Sequence, residues 1–192
     1  MKPLFAAIAL AFAVTGVHAA SPSPSPYAGE QARDIKALSP AEVADLLAGK
    51  GMGLAKAAEL NGYPGPAHVL ELSAPLRLSA EQRAQTQSIF ERMDAAAKAW
   101  GERLVDAERA LEHLFRSRQV SAETLSRSLE EVAAIRGKLR QAHLQAHLEQ
   151  TAVLTSEQVA RYQQLRGYAD AGAGAPHRPG APAFRRGSAR RV

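Results

Sequence analysis

The chain has no cysteine, few aromatic residues and few long apolar runs. The absence of cysteine excludes disulfides, thiolate metal sites, iron–sulfur clusters and cysteine nucleophiles. Aromatic residues make up 5% of the 192 positions, which is little for a large compact core. Helices that pack along narrow apolar stripes need fewer large side chains, so the composition favours an all-helical protein.

Sequence patterns of the common enzyme classes are also missing. The chain contains no glycine-rich phosphate-binding loop, nucleophile elbow, His-Glu-x-x-His motif or pair of acids in a glycine-framed loop. No alternation of apolar and polar residues is long enough to predict a β-strand. We therefore predict a helical protein that acts by binding and not by catalysis.

The first residues have the layout of a secretory signal. Lys2 supplies the positive charge, an apolar run extends from Leu4 to Val14, and small residues offer a cleavage site near Ala19 and Ala20. A membrane span needs about 20 apolar residues, and this run is shorter. We predict that residues 1–19 are a cleaved signal peptide and that the mature protein is located in the periplasm.

Composition also predicts irregular segments on both sides of the folded part. Residues 20–37 begin with alternating serine and proline, which predicts an extended linker. From Ala171 onward the chain is rich in Gly, Ala and Pro and carries five arginines without an acidic residue, so we predict a disordered basic tail over residues 169–192. Export argues against nucleic acid as a partner. An anionic envelope surface is the alternative to a purely solubilising tail.

Capping chemistry predicts where the helices begin. A helix start leaves backbone amides unpaired, and a preceding serine or threonine oxygen can accept a hydrogen bond from one of them. At Ser39 the signal is strengthened by Pro40 at the first helical position and by Glu42, which can reach back to the cap. Residues 38–77 are therefore predicted to form short helices. The predicted caps are Ser39, Ser79, Ser121 and Thr155.

Two long helices are predicted in the second half of the chain. Apolar residues recur at alternating steps of four and three from Ile89 to Leu114, and every seven residues from Leu125 to Val153. A short polar connection separates the two patterns, so residues 78–168 are predicted to form an antiparallel helical hairpin with coiled-coil-like packing. Gly101 interrupts the first pattern and predicts a bend there, because glycine is a poor helix former.

Two short segments of the predicted hairpin repeat each other. Both read Leu-Ser/Thr-x-Glu-Gln, and one copy alone indicates only a capping box preceded by a hydrophobic residue. Two copies, one at each end of a hairpin in a small exported chain without cysteine, resemble the LTxxQ-motif Spy/CpxP family of periplasmic chaperones and stress adaptors. The first copy departs from the motif by having serine for threonine. The matching residues are Leu78, Ser79, Gln82, Leu154, Thr155 and Gln158.

The resemblance implies a fold and a function. It implies a curved all-α homodimer in which the motif residues join the two ends of the hairpin. Such a protein shields unfolded or misfolded envelope proteins without ATP, or acts as an adaptor in stress signalling with a sensor kinase as partner. It also implies metal binding if the chain is similar to the zinc-resistance-associated, heavy-metal-sensor branch of the family.

Two residue pairs on the second long helix are candidate binding sites. Leu144 and Leu148 lie off the apolar seam and are predicted to contact clients; the alternative is that they pack on the last helix or on a second copy. His143 and His147 are four residues apart, so both imidazoles can reach one metal ion. Zinc, nickel or Cu(II) would be the candidate metals. Solvated surface histidines are the alternative.

Overall fold

The structure, a computed structural model, describes residues 25–168. The predicted signal peptide, the beginning of the predicted linker and the predicted basic tail lie outside the described residues. The chain divides into two units at residues 32 and 33. In the first unit the described residues form turns and one short 3-10 helix, Glu30–Ala32. No described helix is both long enough and apolar enough to cross a membrane.

Helices are the only regular secondary structure in the described part of the second unit, which confirms the all-helical class. Between residues 25 and 168 there is no β-strand. The prediction of short helices over residues 38–77 is confirmed, and they are followed by two long helices and one short one. The helices are α1 (Pro40–Leu47), α2 (Lys56–Glu59), α3 (Pro66–Glu71), α4 (Ala80–Arg116), α5 (Ala122–Val153) and α6 (Ser156–Leu165).

All four predicted caps are confirmed as capping boxes. At α1 the Ser39 oxygen accepts from the amide of Glu42 at 3.2 Å, and the Glu42 carboxylate accepts from the amide of Ser39 at 2.8 Å. The same reciprocal pattern begins α4, α5 and α6, where Gln82, Thr124 and Gln158 take the place of the glutamate. Each box satisfies amides that the first turn cannot pair, so these helix starts are set locally.

The two long helices run antiparallel and pack against each other along their length. Their short connection allows α5 to return along α4. In the polar pairs between them, later residues of α4 contact earlier residues of α5, as antiparallel packing requires. The predicted seam is confirmed where it is buried, at Ile89, Leu104, Val132, Leu139 and Ala146. The pairs are Thr86 with Gln150, Arg92 with Glu149 and Glu108 with Arg136.

The main apolar core forms where the chain before α2 packs on the middle of α4 and α5. Ile35 is 3% exposed, although it lies in the predicted linker 20–37. The packed part of the chain therefore begins earlier than predicted, at about Arg33. One isoleucine among polar residues has no periodic pattern, so its burial could not be inferred locally. The buried members are Ile35, Leu38, Leu46, Ala97, Leu104, Val105, Val132 and Leu139.

A second, smaller core holds α6 against the end of α3. Val69 and Tyr162 have no exposed surface, and Leu76 and Leu154 complete the buried cluster. Leu78 packs on it and is partly buried. The leucines of both repeated segments thus belong to this core, close to the ends of the long helices.

Gly101 lies inside α4, but it does not interrupt the helix. The helix is continuous from Ala80 to Arg116. A Cβ at Gly101 would lie 2.1 Å from the carbonyl oxygen of Leu46, at the end of α1. The glycine therefore provides room for α1 to approach the backbone of α4, and the bend at Gly101 stays a prediction.

Candidate functional site

The glutamines of the two repeated segments contact each other. The Gln82 Nε2 donates to Gln158 Oε1 at 2.8 Å, and the Gln158 Nε2 donates to Gln82 Oε1 at 3.1 Å. Each oxygen also accepts from the amide of its own cap residue, Ser79 at 3.1 Å and Thr155 at 3.0 Å. Two capping boxes are thereby joined by a pair of reciprocal amide hydrogen bonds. The structure brings together the motif residues that the sequence singled out.

Each glutamine also donates a hydrogen bond to a backbone carbonyl next to the other repeated segment. Gln82 Nε2 donates to the carbonyl oxygen of Val153 at 3.0 Å, at the end of α5. Gln158 Nε2 donates to that of Leu76 at 3.2 Å, just before α4. Both amide groups thus use their donors and acceptors within the protein, so this cluster ties the ends of α4 and α5 together and leaves little capacity for a ligand.

An open groove runs along one side of the α4–α5 pair. All of its lining residues belong to these two helices, whereas α1, α2 and α3 pack elsewhere on them. Small side chains form much of its floor, among them Ala96, Ala107 and Ala142, and Trp100 and Ile135 add larger apolar surface. The described part of the chain therefore leaves this side of the hairpin, which carries both apolar and charged residues, without a cover.

Charged residues flank this open groove. Arg92 on α4 pairs with Glu149 on α5 at 2.7 Å, and both side chains remain partly exposed. The guanidinium of Arg103 lies over the ring of Trp100, 4.7 Å from its centre. Charges of both signs thus border an apolar floor, an arrangement that combines burial of apolar surface with long-range steering.

The two leucines predicted to contact clients lie outside the open groove. Leu148 is 52% exposed, and Leu144 is partly buried. Leu148 follows the buried Leu139 by nine residues, about two and a half turns, so it lies on the opposite side of α5. Sequence reasoning identified an exposed leucine but missed the alanine-rich side, because alanine carries little hydrophobic signal.

His143 and His147 lie side by side, but neither is at the surface. They are only 4% and 7% exposed, so the alternative of solvated surface histidines is wrong. Residues 50–65 cover them: Gly51 lies close to the His143 ring, and Gly65 lies against His147. This covering segment is remote in sequence, which is why the spacing on α5 could not reveal it.

The histidine pair does not gather a metal-binding set around itself. Among residues 25–168, no three His, Cys, Asp or Glu side chains lie close enough together to hold an ion. His147 uses Nδ1 for a hydrogen bond of 2.7 Å to the carbonyl oxygen of Tyr63. Glu149 and Gln150, which follow the histidines on α5, are also engaged elsewhere: Glu149 pairs with Arg92, and Gln150 bonds to Thr86. The predicted zinc-like site therefore remains a pair of potential ligands.

A pocket of about 480 Å³ lies between residues 48–68 and the facing sides of α4 and α5. His143 and His147 line it together with Glu59. The segment includes Gly49 and Gly53 in left-handed conformations, at φ 69° and 83°. This glycine-rich loop was the local signal that could have indicated a folded-back segment, but its docking site could not be read from the sequence.

Stability is expected to fall on mild acidification because of His143. Burial, with a smaller contribution from His147, lowers the pKa of His143 below its ordinary value of 6.5. The unfolded chain therefore binds a proton at a higher pH than the folded one. Stability is complete above about pH 6.5, decreases below it by up to about 1.4 kcal/mol per pH unit, and levels off below the folded pKa.

The measurement is urea denaturation at about pH 7.5 and about pH 5.5. His143→Leu should reduce the loss of stability between the two values. The control is His113→Leu, because His113 is exposed on α4 and should leave the loss unchanged. Equal pH dependence in wild type and His143→Leu would contradict the assignment.

The pKa values of Glu42 and Glu112 are also lowered, by hydrogen bonds to Ser39 and Lys36, but carboxylates titrate below this window.

Comparison of the chain with protein-family models, curated proteins and solved structures gives no match. The resemblance to the LTxxQ-motif family therefore rests on the two repeated segments.

Proposed function

We propose that the chain is an ATP-independent periplasmic chaperone or envelope-stress adaptor that holds unfolded protein in the open groove of α4 and α5. The observation that supports the proposal most directly is that the groove is lined by α4 and α5 alone. A groove that has apolar side chains in its floor and stays open over several helical turns offers a surface on which a partner can bind.

The shape of the open groove suits a chain without fixed structure. Its floor is broad and consists mainly of small side chains, so it has no deep pocket that would require one particular residue of the partner. Apolar segments of an unfolded protein would bury surface on it, at about 25 cal/mol for each Å² removed from water. Charges at its edge, such as Arg92 and Glu149, would favour association without fixing an orientation.

The contacts that join α4 and α5 at one end of the hairpin support the same function. The Gln82–Gln158 pair and the buried contact between Thr86 and Gln150 hold α4 and α5 at one end. A surface that is already formed binds without an ordering cost on its own side, and no nucleotide is needed to create it. Release of the client would then depend on the folding of the client itself.

Substitution of carboxylates into the open groove is expected to reduce protection of a client. Ala110 and Ala134 line the groove and are exposed, so Ala110→Glu together with Ala134→Glu should leave the fold intact. The cost of covering these charges should raise the amount of protein needed for a given protection by about fivefold or more. The measurement is light scattering of chemically denatured α-lactalbumin, diluted without nucleotide.

The matched control places the same charges elsewhere on the same helices. Ala95 on α4 and Ala133 on α5 are exposed and do not line the groove, so Ala95→Glu with Ala133→Glu should protect as wild type does. Failure of the wild type to protect the client at equimolar concentration would refute the chaperone. If instead the groove variants convert a dimer to a monomer in light-scattering chromatography and protect equally, the groove is the interface between two copies.

A further inference from the structure

The pocket between residues 48–68 and the long helices contains polar atoms that the fold does not satisfy. Glu59 Oε2 and His143 Nε2 are buried, and neither has a hydrogen-bond partner among the described residues. A buried polar atom without a partner costs about 1–3 kcal/mol. Such atoms at the base of a pocket call for an explanation, and a bound group that supplies donors would provide one.

The hydrogen bonds around Glu59 leave one of its oxygens free. Oε1 accepts from the hydroxyl of Tyr162 at 2.7 Å and from the guanidinium of Arg166 at 3.3 Å. Oε2 is 3.7 Å from the ring nitrogen Nδ1 of His147, which is too far for a hydrogen bond. The contacts on Oε1 hold the carboxylate in place, and Oε2 is left as a buried acceptor without a donor.

The neighbouring imidazole adds a second acceptor. Because a carbonyl oxygen can only accept, Nδ1 of His147 must donate to Tyr63, and neutral His147 then carries a bare nitrogen at Nε2. A Cβ placed on Gly65 would lie 3.0 Å from this nitrogen and 3.6 Å from Glu59 Oε2. The two ring and carboxylate atoms are therefore close together, and the Gly65 backbone lies directly against them.

The walls of the pocket are mostly apolar. Met52, Phe90, Met93 and Pro66 contribute carbon and thioether surface, and a volume of about 480 Å³ is within the range of small-molecule sites. Charges at its mouth are largely paired. Lys50 bonds to Asp45 at 2.6 Å and Asp94 to Lys98 at 2.7 Å, and Lys56 is exposed to solvent.

We propose that this pocket binds a primary ammonium group carried on a short apolar chain. The ammonium would donate to Glu59 Oε2 and His147 Nε2, and the apolar chain would contact the methionines and Phe90. A carboxylate ligand could pair with the exposed Lys50 or Lys56, but it would be repelled by Glu59. A metal ion would need a third convergent ligand, which residues 25–168 do not provide. The ammonium can belong to a free small amine or to a lysine side chain of a polypeptide.

The test is a nuclear magnetic resonance titration of the mature chain with three probes of equal length: hexylammonium, hexan-1-ol and hexanoate. Hexylammonium is expected to shift the amide signals of residues 49–53 and the ring signals of His143 and His147 at about millimolar concentration. Hexanoate should leave them in place. In Glu59→Gln, hexylammonium should bind about 10- to 100-fold more weakly, because the charge is lost while the shape is kept.

The control variant is Asp94→Asn, which removes one negative charge from the mouth of the pocket and not from its base. It should bind hexylammonium nearly as wild type does. Equal binding of hexanoate, shifts confined to residues outside the pocket, or equal losses in Glu59→Gln and Asp94→Asn would each overturn the proposal. So would zinc that binds at the histidines and displaces hexylammonium. The wild-type titration keeps the test valid even if Glu59→Gln does not fold.

A fourth probe separates the two sources of the ammonium. Binding of Nα-acetyl-lysine methylamide at the concentration found for hexylammonium is expected if the site takes lysine side chains. Binding of hexylammonium alone is expected if it takes free amines. Neither result depends on the open groove, so the pocket can fail while the proposed chaperone function stands, and the reverse also holds.

Discussion

Gly101→Ala is expected to lower the free energy of unfolding by about 3 kcal/mol. The added methyl group would lie 2.1 Å from the carbonyl oxygen of Leu46 and 2.8 Å from its carbonyl carbon. These are backbone atoms, so the clash cannot be relieved by a rotamer change. The end of α1 must move away from α4, and the core formed by Leu46, Ala97 and Leu104 must open with it.

The matched control is Gly137→Ala in the other long helix. Gly137 is exposed on α5, and nothing lies within 4 Å of the position of its Cβ. Alanine is the better helix former, so this substitution should raise stability by up to about 1 kcal/mol. Urea denaturation followed by circular dichroism measures both. Stabilisation by Gly101→Ala would mean that α1 does not approach α4 in the way described.

Gln82→Glu and Gln158→Glu are each expected to cost about 2–3 kcal/mol at neutral pH. Glutamate keeps the oxygen that closes a capping box, but it cannot donate. In Gln82→Glu the carbonyl oxygen of Val153 would lose its side-chain donor, and the Oε1 of Gln158 would keep only the Thr155 amide. A negative charge would then lie against both oxygens. The effect thus reports the contact between the two boxes and not the caps themselves.

The box at α1 supplies the control for this experiment. Glu42 closes it from an exposed position, so Glu42→Gln should change stability by less than about 0.5 kcal/mol. A double-mutant cycle with Gln82→Ala and Gln158→Ala should give a coupling energy of about 1–2 kcal/mol. Additive losses in that cycle would show that the two glutamines act independently, contrary to their hydrogen bonds in the structure.

Several features of this fold could be predicted because they are decided within a few residues. The helix starts at Ser39, Ser79, Ser121 and Thr155 depend on side chains three residues away. The buried seam of α4 and α5 follows from a periodic pattern of apolar residues. The meeting of Gln82 and Gln158 was expected from a family resemblance, and the local pattern by itself indicates only two caps.

Other features depend on contacts between distant parts of the chain, and these were missed. His143 and His147 have the spacing of a surface metal pair, yet the segment around Gly51 and Gly65 buries them. Ile35 has no patterned neighbours, yet it enters the main core. Docking of a loop on a helix leaves no periodic signal in either partner, so local patterns cannot reveal it.

Sequence alone determined the helical class, the starts of the helices and the apolar seam, because capping bonds and helical periodicity act over distances of three to seven residues. The tertiary structure decided which side of the hairpin is covered. It also determined that Gly101 is a point of close contact and that the histidines line a pocket with Glu59. These outcomes arise from packing between residues far apart in the chain, where shape and burial decide and local propensity does not.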